Sequence, residues 1–295
     1  MSRWLKLSAA ALLAGWGIAA TPAPSPETIY KAFGAKASKP FATISYGADP
    51  LQVADLRIPS GRGPFPVAIV IHGGCWRNDY DTRAGIAGVA DALGKRGFAT
   101  WNIEYRRIGD PGGGWPGTFQ DVAAAEDKLA EIAERYKLVL SRVILVGHSA
   151  GAHLAMWAAS RSRLPAPWNA VKVRPVAVAA IDGPAALAPF VGIDAQVCGQ
   201  PVIASLMGGL PADKPAAYAL ASPAEHLPLG LRQLLVIGEF RPFMQPYVAG
   251  AKAAGDPVAE LAPPNANHFD IVTPSTANGA AVIDFIAREA IPGKR

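Results

Sequence analysis

Hydrophobic residues follow two rhythms along this chain. Short continuous apolar runs at residues 67–71, 99–104, 142–146, 176–181, 233–237 and 258–261 have the length and β-branched content of buried strands. Between and after them lie stretches with the 3.6-residue period of amphipathic helices. These are residues 84–95, stopped by Gly97, then 121–137, and a closing stretch at 278–290. Ahead of this series, residues 41–46 and 52–59 alternate like two strands joined by the turn Gly47-Ala48-Asp49-Pro50, which predicts an antiparallel opening. Strand–helix alternation from residue 67 onward predicts a mostly parallel sheet, eight-stranded in all, with helices on both faces.

Two stretches lack this pattern. Residues 21–38 are rich in Pro and Ala with a short helical piece near 27–33, and read as a linker ahead of a single domain over 39–295. Residues 183–216 are rich in Pro, Ala and Gly with no clear strand, which predicts a small lid over the strand ends.

Residues 1–20 carry Arg3 and Lys6 before an apolar stretch and then small residues and prolines, the layout of a secretory signal peptide. The apolar part is short for a bilayer span and broken by Gly15 and Gly17, so cleavage is expected rather than a retained anchor. Export predicts a periplasmic or secreted protein. Removal of these residues leaves 26 basic against 23 acidic side chains, a net charge of +3 with no dense basic stripe, which argues against nucleic acid as a partner. Cys75 and Cys198 are the only cysteines. Export favours a disulfide, but Cys75 lies in a motif with a role of its own, and a free pair is the preferred reading.

The chemistry begins at Gly147-His148-Ser149-Ala150-Gly151, which ends the run 142–146 and opens a helix of small residues. A serine on a tight strand-to-helix turn is exposed to substrate, and the helix start aims free N–H groups at a developing oxyanion. Ser149 is therefore the candidate nucleophile and Ala150 a candidate N–H donor. After the strand 67–71 comes His72-Gly73-Gly74-Cys75-Trp76, whose glycines allow backbone N–H groups close to a substrate carbonyl. Gly74 and Cys75 are the expected donors there, with Gly73 as the alternative.

Five histidines are available as base. His148 lies inside the turn and is expected to point away from the base position; His153 is expected to pack on the helix; His226 reads as structural; His72 ends a strand. His268, between the last strand and the last helix, has the place that a Ser, acid, His chain order gives the base.

With these residues in view, the chain resembles the α/β-hydrolases of the esterase/lipase group that carry a His-Gly-Gly oxyanion motif. Within that group it is similar to the kynurenine formamidase and feruloyl-esterase-like (BD-FAE) branch. The resembling pieces are residues 72–76, Asn102-Ile103-Glu104-Tyr105-Arg106-Arg107, residues 114–121, residues 147–151 and Asn267-His268-Phe269-Asp270. The resemblance implies an α/β-hydrolase fold, a Ser-His-acid acyl-enzyme mechanism and a small-molecule ester or amide substrate, with no metal or cofactor. It also implies that Glu104-Tyr105-Arg106 ties down the loop after its strand. Relatives usually carry an aspartate shortly after the strand that here reads 233–237, and Arg241 stands in its place. Glu239 is the expected acid and Asp182 the second candidate, while Asp270 is expected to cap the final segment. Trp76 and Trp115 are expected to line the substrate pocket or to be buried beneath a loop. An ester is the expected substrate, an aryl formamide the runner-up. The missing aspartate motivates a third reading, a non-catalytic binding protein.

Overall fold

The computed structural model describes residues 23–291, so the signal-peptide reading of residues 1–20 lies outside the described residues. Eight strands form one sheet: β1 (Ala42–Ser45), β2 (Val53–Arg57), β3 (Phe65–Ile71), β4 (Ala99–Ile103), β5 (Leu138–His148), β6 (Ala177–Ile181), β7 (Arg232–Val236) and β8 (Val258–Leu261). Their order is β1-β2-β4-β3-β5-β6-β7-β8. The β1–β2 and β2–β4 pairings are antiparallel and the rest parallel, the arrangement that the sequence pattern predicts.

Every residue of β3, β4 and β6 is buried, because helices cover both faces; that is why these strands read as unbroken apolar runs. Alternate side chains go to opposite faces. Val67, Ile69, Ile71, Val143 and Leu145 meet α3 (Gly117–Tyr136), α4 (Ala150–Ser160) and α8 (Arg241–Ala253). Ala68, Val70, Ile144 and Val146 meet α2 (Ala87–Lys95) and α9 (Ala277–Glu289).

The structure departs from the sequence reading in three places. Residues 23–38 are not a linker. They contain α1 (Pro26–Gly34), capped by the Ser25 hydroxyl accepting from the Thr28 N–H, and its Tyr30 is buried against the second core and donates to Asp81 Oδ2 at 3.1 Å. The structure also holds a helix, α8, where the sequence pattern places no element, and it accommodates Pro242 and Pro246. Pro242 lies in the first turn, where its missing N–H has no intrahelical acceptor, and Met244, Tyr247 and Val248 anchor the rest in the core.

Third, Cys75 and Cys198 are joined by a disulfide, with Cα atoms 5.9 Å apart. The motif role of Cys75 uses its backbone and leaves the thiol free to pair. The bond fastens the segment read as a lid, which holds α5 (Asp194–Cys198) and α6 (Ile203–Met207) and runs into α7 (Pro215–Ala221). Such short helices are marginal alone. Asp194 organises the first two, its buried carboxylate accepting from the N–H groups of Gly192, Ala195, Val202 and Ile203.

Candidate active site

The strand β5 ends at His148, and Ser149 follows with φ 55° and ψ −122°, a conformation that non-glycine residues rarely adopt. Packing enforces it. A Cβ on Gly147 would lie 2.0 Å from the Gly151 carbonyl oxygen, and one on Gly151 would lie 2.2 Å from that of Ile71, so neither position accepts a side chain. The Ser149 N–H donates to the Ile181 carbonyl at 2.9 Å, which ties the turn to the neighbouring β6. Ala150 opens α4, where N–H groups lack an intrahelical acceptor.

The loop after β3 is also strained. Gly74, Cys75 and Trp76 have φ of 97°, 53° and 54° in succession. The N–H groups of Gly74 and Cys75 make no hydrogen bond to another protein group among the described residues. A buried polar cluster holds the loop from behind. His72 Nε2 meets Glu104 Oε1 at 2.7 Å, the Tyr105 hydroxyl donates to the His72 carbonyl at 2.9 Å, and the Tyr105 ring stacks on the His72 ring at 4.3 Å. Burial alone would raise the Glu104 carboxyl, but His72, Arg107 and the Arg83 N–H hold it down to about 2.

His268 Nδ1 lies 2.8 Å from Asp182 Oδ2. Asp182 is fully buried and accepts three more hydrogen bonds, from the N–H groups of Gly238, Glu239 and Phe240 at 2.8, 3.1 and 3.0 Å. The carboxylate that meets His268 is therefore that of Asp182 and not that of Glu239. The reason is geometric: the loop after β7 turns its backbone N–H groups toward the end of β6, so Glu239 contributes its amide while its side chain is exposed at the cleft. Arg241, at the position of the expected aspartate, opens α8 and is exposed. Asp182 has a signal in the sequence, since it directly follows the apolar run of β6, and ligand sites in parallel sheets lie at the carboxyl ends of strands. Asp270 accepts from the Asn267 N–H and the Asn278 amide, and so fastens the segment into α9.

The remaining histidines are accounted for. His148 does not point away from the base: its ring centroid lies 4.5 Å from that of His268, and its Nε2 donates to the His268 carbonyl at 2.9 Å. Burial, followed by the neighbouring His268, pushes the His148 imidazole well below its ordinary range, so it stays neutral beside the base. His153 Nε2 donates to the Ala221 carbonyl, and burial pushes this imidazole down to about 4. His226 donates to the Ala219 carbonyl.

Ser149, His268, Gly74, Cys75 and Glu239 line one cavity of about 610 Å³. Its apolar lining includes Ile193 and Val197 from the lid, Phe240 just before α8 and Phe243 within it. Its polar lining includes Glu27 and Lys31 from α1 together with Tyr80 and Asp81. Burial raises the Asp81 carboxyl, against the opposing pull of His72 and of hydrogen bonds from Thr82 and Tyr30. No sequence signal pointed to the wall supplied by α1. Neither Trp76, which is fully buried beside His153, nor Trp115, which packs on Phe119 and Trp168, lines this cavity.

Comparison with known proteins places this geometry. The family model described as BD-FAE matches residues 54–237. Among solved structures, a bacterial heroin esterase superposes with a TM-score of 0.71 at 22% identity, covering 89% of each chain. Esterase B from Lactobacillus rhamnosis gives 0.69 at 21% identity, covering 88% of this chain and 90% of its own. A bifunctional GH43-CE protein of Bacteroides eggerthii gives 0.68 at 25% identity over 84% of this chain, which spans only 38% of that longer protein. No curated protein matches the chain. The structural likenesses carry the fold, an α/β-hydrolase sheet with its helices.

Proposed function

The chain belongs to the BD-FAE family, and from that premise we propose that it is a serine carboxylesterase working through an acyl-enzyme. One observation carries the mechanism: a buried carboxylate, fixed by three backbone N–H groups, bonds the Nδ1 of an imidazole that lines the same cavity as the serine of the strained turn. Asp182 accepts the Nδ1 proton of His268, which leaves Nε2 as the nitrogen with a lone pair. That nitrogen takes the Ser149 proton as Oγ attacks the ester carbonyl, and returns it to the departing alkoxide. The oxyanion is received by the N–H groups of Gly74, Cys75 and Ala150. Water, activated by the same imidazole, then releases the acid. Asp182 supplies the orienting group whose apparent lack motivated a non-catalytic reading. Among the neighbours of similar fold are proteins described as esterases, which supports an ester as the substrate. The polarity of the cleft favours an apolar acyl group toward Phe240 and a more polar alcohol toward Asp81.

Hydrolysis of p-nitrophenyl esters from acetate to octanoate, compared with Ser149→Ala, tests the reading. The substitution is expected to lower kcat by about 10,000-fold or more. Equal rates in both proteins would refute it, and preferential turnover of an aryl formamide would move the reading to amide hydrolysis. For location, we propose export to an oxidising compartment. The Cys75–Cys198 bond supports this, and an uncleaved chain found with the cytoplasmic fraction would contradict it.

A further inference from the structure

A second cavity, of about 300 Å³, adjoins the cleft at Phe243, which lines both. Pro184, Pro189, Pro242 and Pro246 form much of its wall, and proline offers no N–H. The only polar side chain in the lining is Tyr247, whose hydroxyl is already donated to Gln233 Oε1 at 2.7 Å. A site whose side chains present carbon and no free donor suits an alkyl chain or an apolar ring.

Phe243 lines both cavities. It stands edge-on to Phe190 at 5.2 Å and to Phe240 at 6.1 Å, and Phe240 in turn stands edge-on to the base His268 at 4.7 Å. The reaction centre, the aromatic cluster and the second cavity are therefore consecutive. Phe243 is half-buried in the first turn of α8, whereas Phe190 and Phe240 are buried, so it is the least confined member of the partition.

On the esterase reading above, we propose that the second cavity is a distal acyl site, reached past Phe243, which takes the terminal carbons of medium and long acyl chains. Short acyl groups stay within the cleft. Each methylene that reaches such a site is worth about fourfold in binding.

Gly250 gives a direct test. It lies on α8 in the wall of the second cavity and not of the first, and a Cβ there would meet only Leu227 Cδ1, at 3.4 Å. Gly250→Leu therefore fills the cavity, and it replaces a poor helix former with a good one. The measured quantity is the ratio of kcat/KM for p-nitrophenyl octanoate to that for acetate, with thermal unfolding as the check on folding. The ratio is expected to fall at least fivefold in Gly250→Leu and to rise in Phe243→Ala. Binding of decanoate to Ser149→Ala, by calorimetry, reads the cavity without turnover and is expected to weaken at least fivefold when Gly250→Leu is added. An unchanged ratio together with unchanged decanoate binding overturns the distal site even if esters are hydrolysed. Absent hydrolysis with weakened decanoate binding would refute the esterase reading and leave the apolar site standing.

Discussion

The candidate nucleophile Ser149 and His268, which the buried Asp182 bonds from behind, line one cavity, but different parts of the chain position serine and acid in different ways. On the nucleophile side, local backbone does the work: Ser149 owes its φ of 55° to two glycines two residues away on either side, in a turn that could form only where a strand runs into a helix. On the acid side almost nothing is local. Asp182 comes from the end of β6, its three N–H donors from the loop after β7, and its imidazole partner from residue 268. A strained turn needs particular residues in a particular order, while an orienting carboxylate needs only to arrive at Nδ1, from whichever strand end reaches it.

That contrast can be broken most directly at the acid. Asp182→Asn is expected to lower kcat by about 1,000- to 10,000-fold, because the imidazole loses its tautomer and its orientation. Glu239→Gln is expected to stay within about twofold, since only the backbone of Glu239 bonds Asp182. Steady-state kinetics on one ester read both, and the reverse order of effects would restore Glu239 as the acid.

A smaller effect is expected where the two sides are fastened together. The Cys75–Cys198 bond joins the oxyanion loop to the lid across 123 residues of sequence. Replacing both cysteines by serine is expected to reduce stability by about 2–5 kcal/mol, read from denaturant unfolding. Arg77 Nη1 still donates to the Cys198 carbonyl at 3.1 Å, so the lid keeps one tether and some activity should survive. Full activity with unchanged stability would show that the bond positions nothing.

The smallest effect concerns the nucleophile helix itself. His153 on α4 is held at about 4 by burial, below its ordinary 6.5, so between these values the unfolded chain binds a proton that the folded one excludes. Stability is therefore at its full value above pH 6.5 and declines as pH falls toward 4, by on the order of 3 kcal/mol from this group. His153→Phe should flatten the unfolding midpoint over that range. An unaltered pH profile in the variant would assign the acid sensitivity elsewhere, His148 being the next group, as it is shifted in the same direction.

Legibility followed the same division. The strand runs, the antiparallel opening, the turn at Ser149 and the His72–Trp76 loop could be read because each depends on residues adjacent in the chain, and His268 stood out by its place between the last strand and the last helix. Asp182 stood in second place behind Glu239 because spacing after β7 counts residues and does not show which way a loop turns. The short helix near residues 27–33 was legible, but its docking on the domain was not, because that rests on the long-range contact of Tyr30 with Asp81. The sequence pattern placed no element at α8, a helix with two prolines that core packing sustains.

By itself, then, the sequence determined the order of strands and helices, the backbone conformation of the nucleophile turn and the chain order of serine and histidine, since short-range sterics and periodic burial act between neighbours. Tertiary structure alone decided which carboxylate meets His268, that Cys75 bonds Cys198, and that α1, the lid and α8 wall the cleft. Those contacts join segments far apart in the chain, 123 residues for the disulfide alone, and only the packed sheet fixes the distances between them.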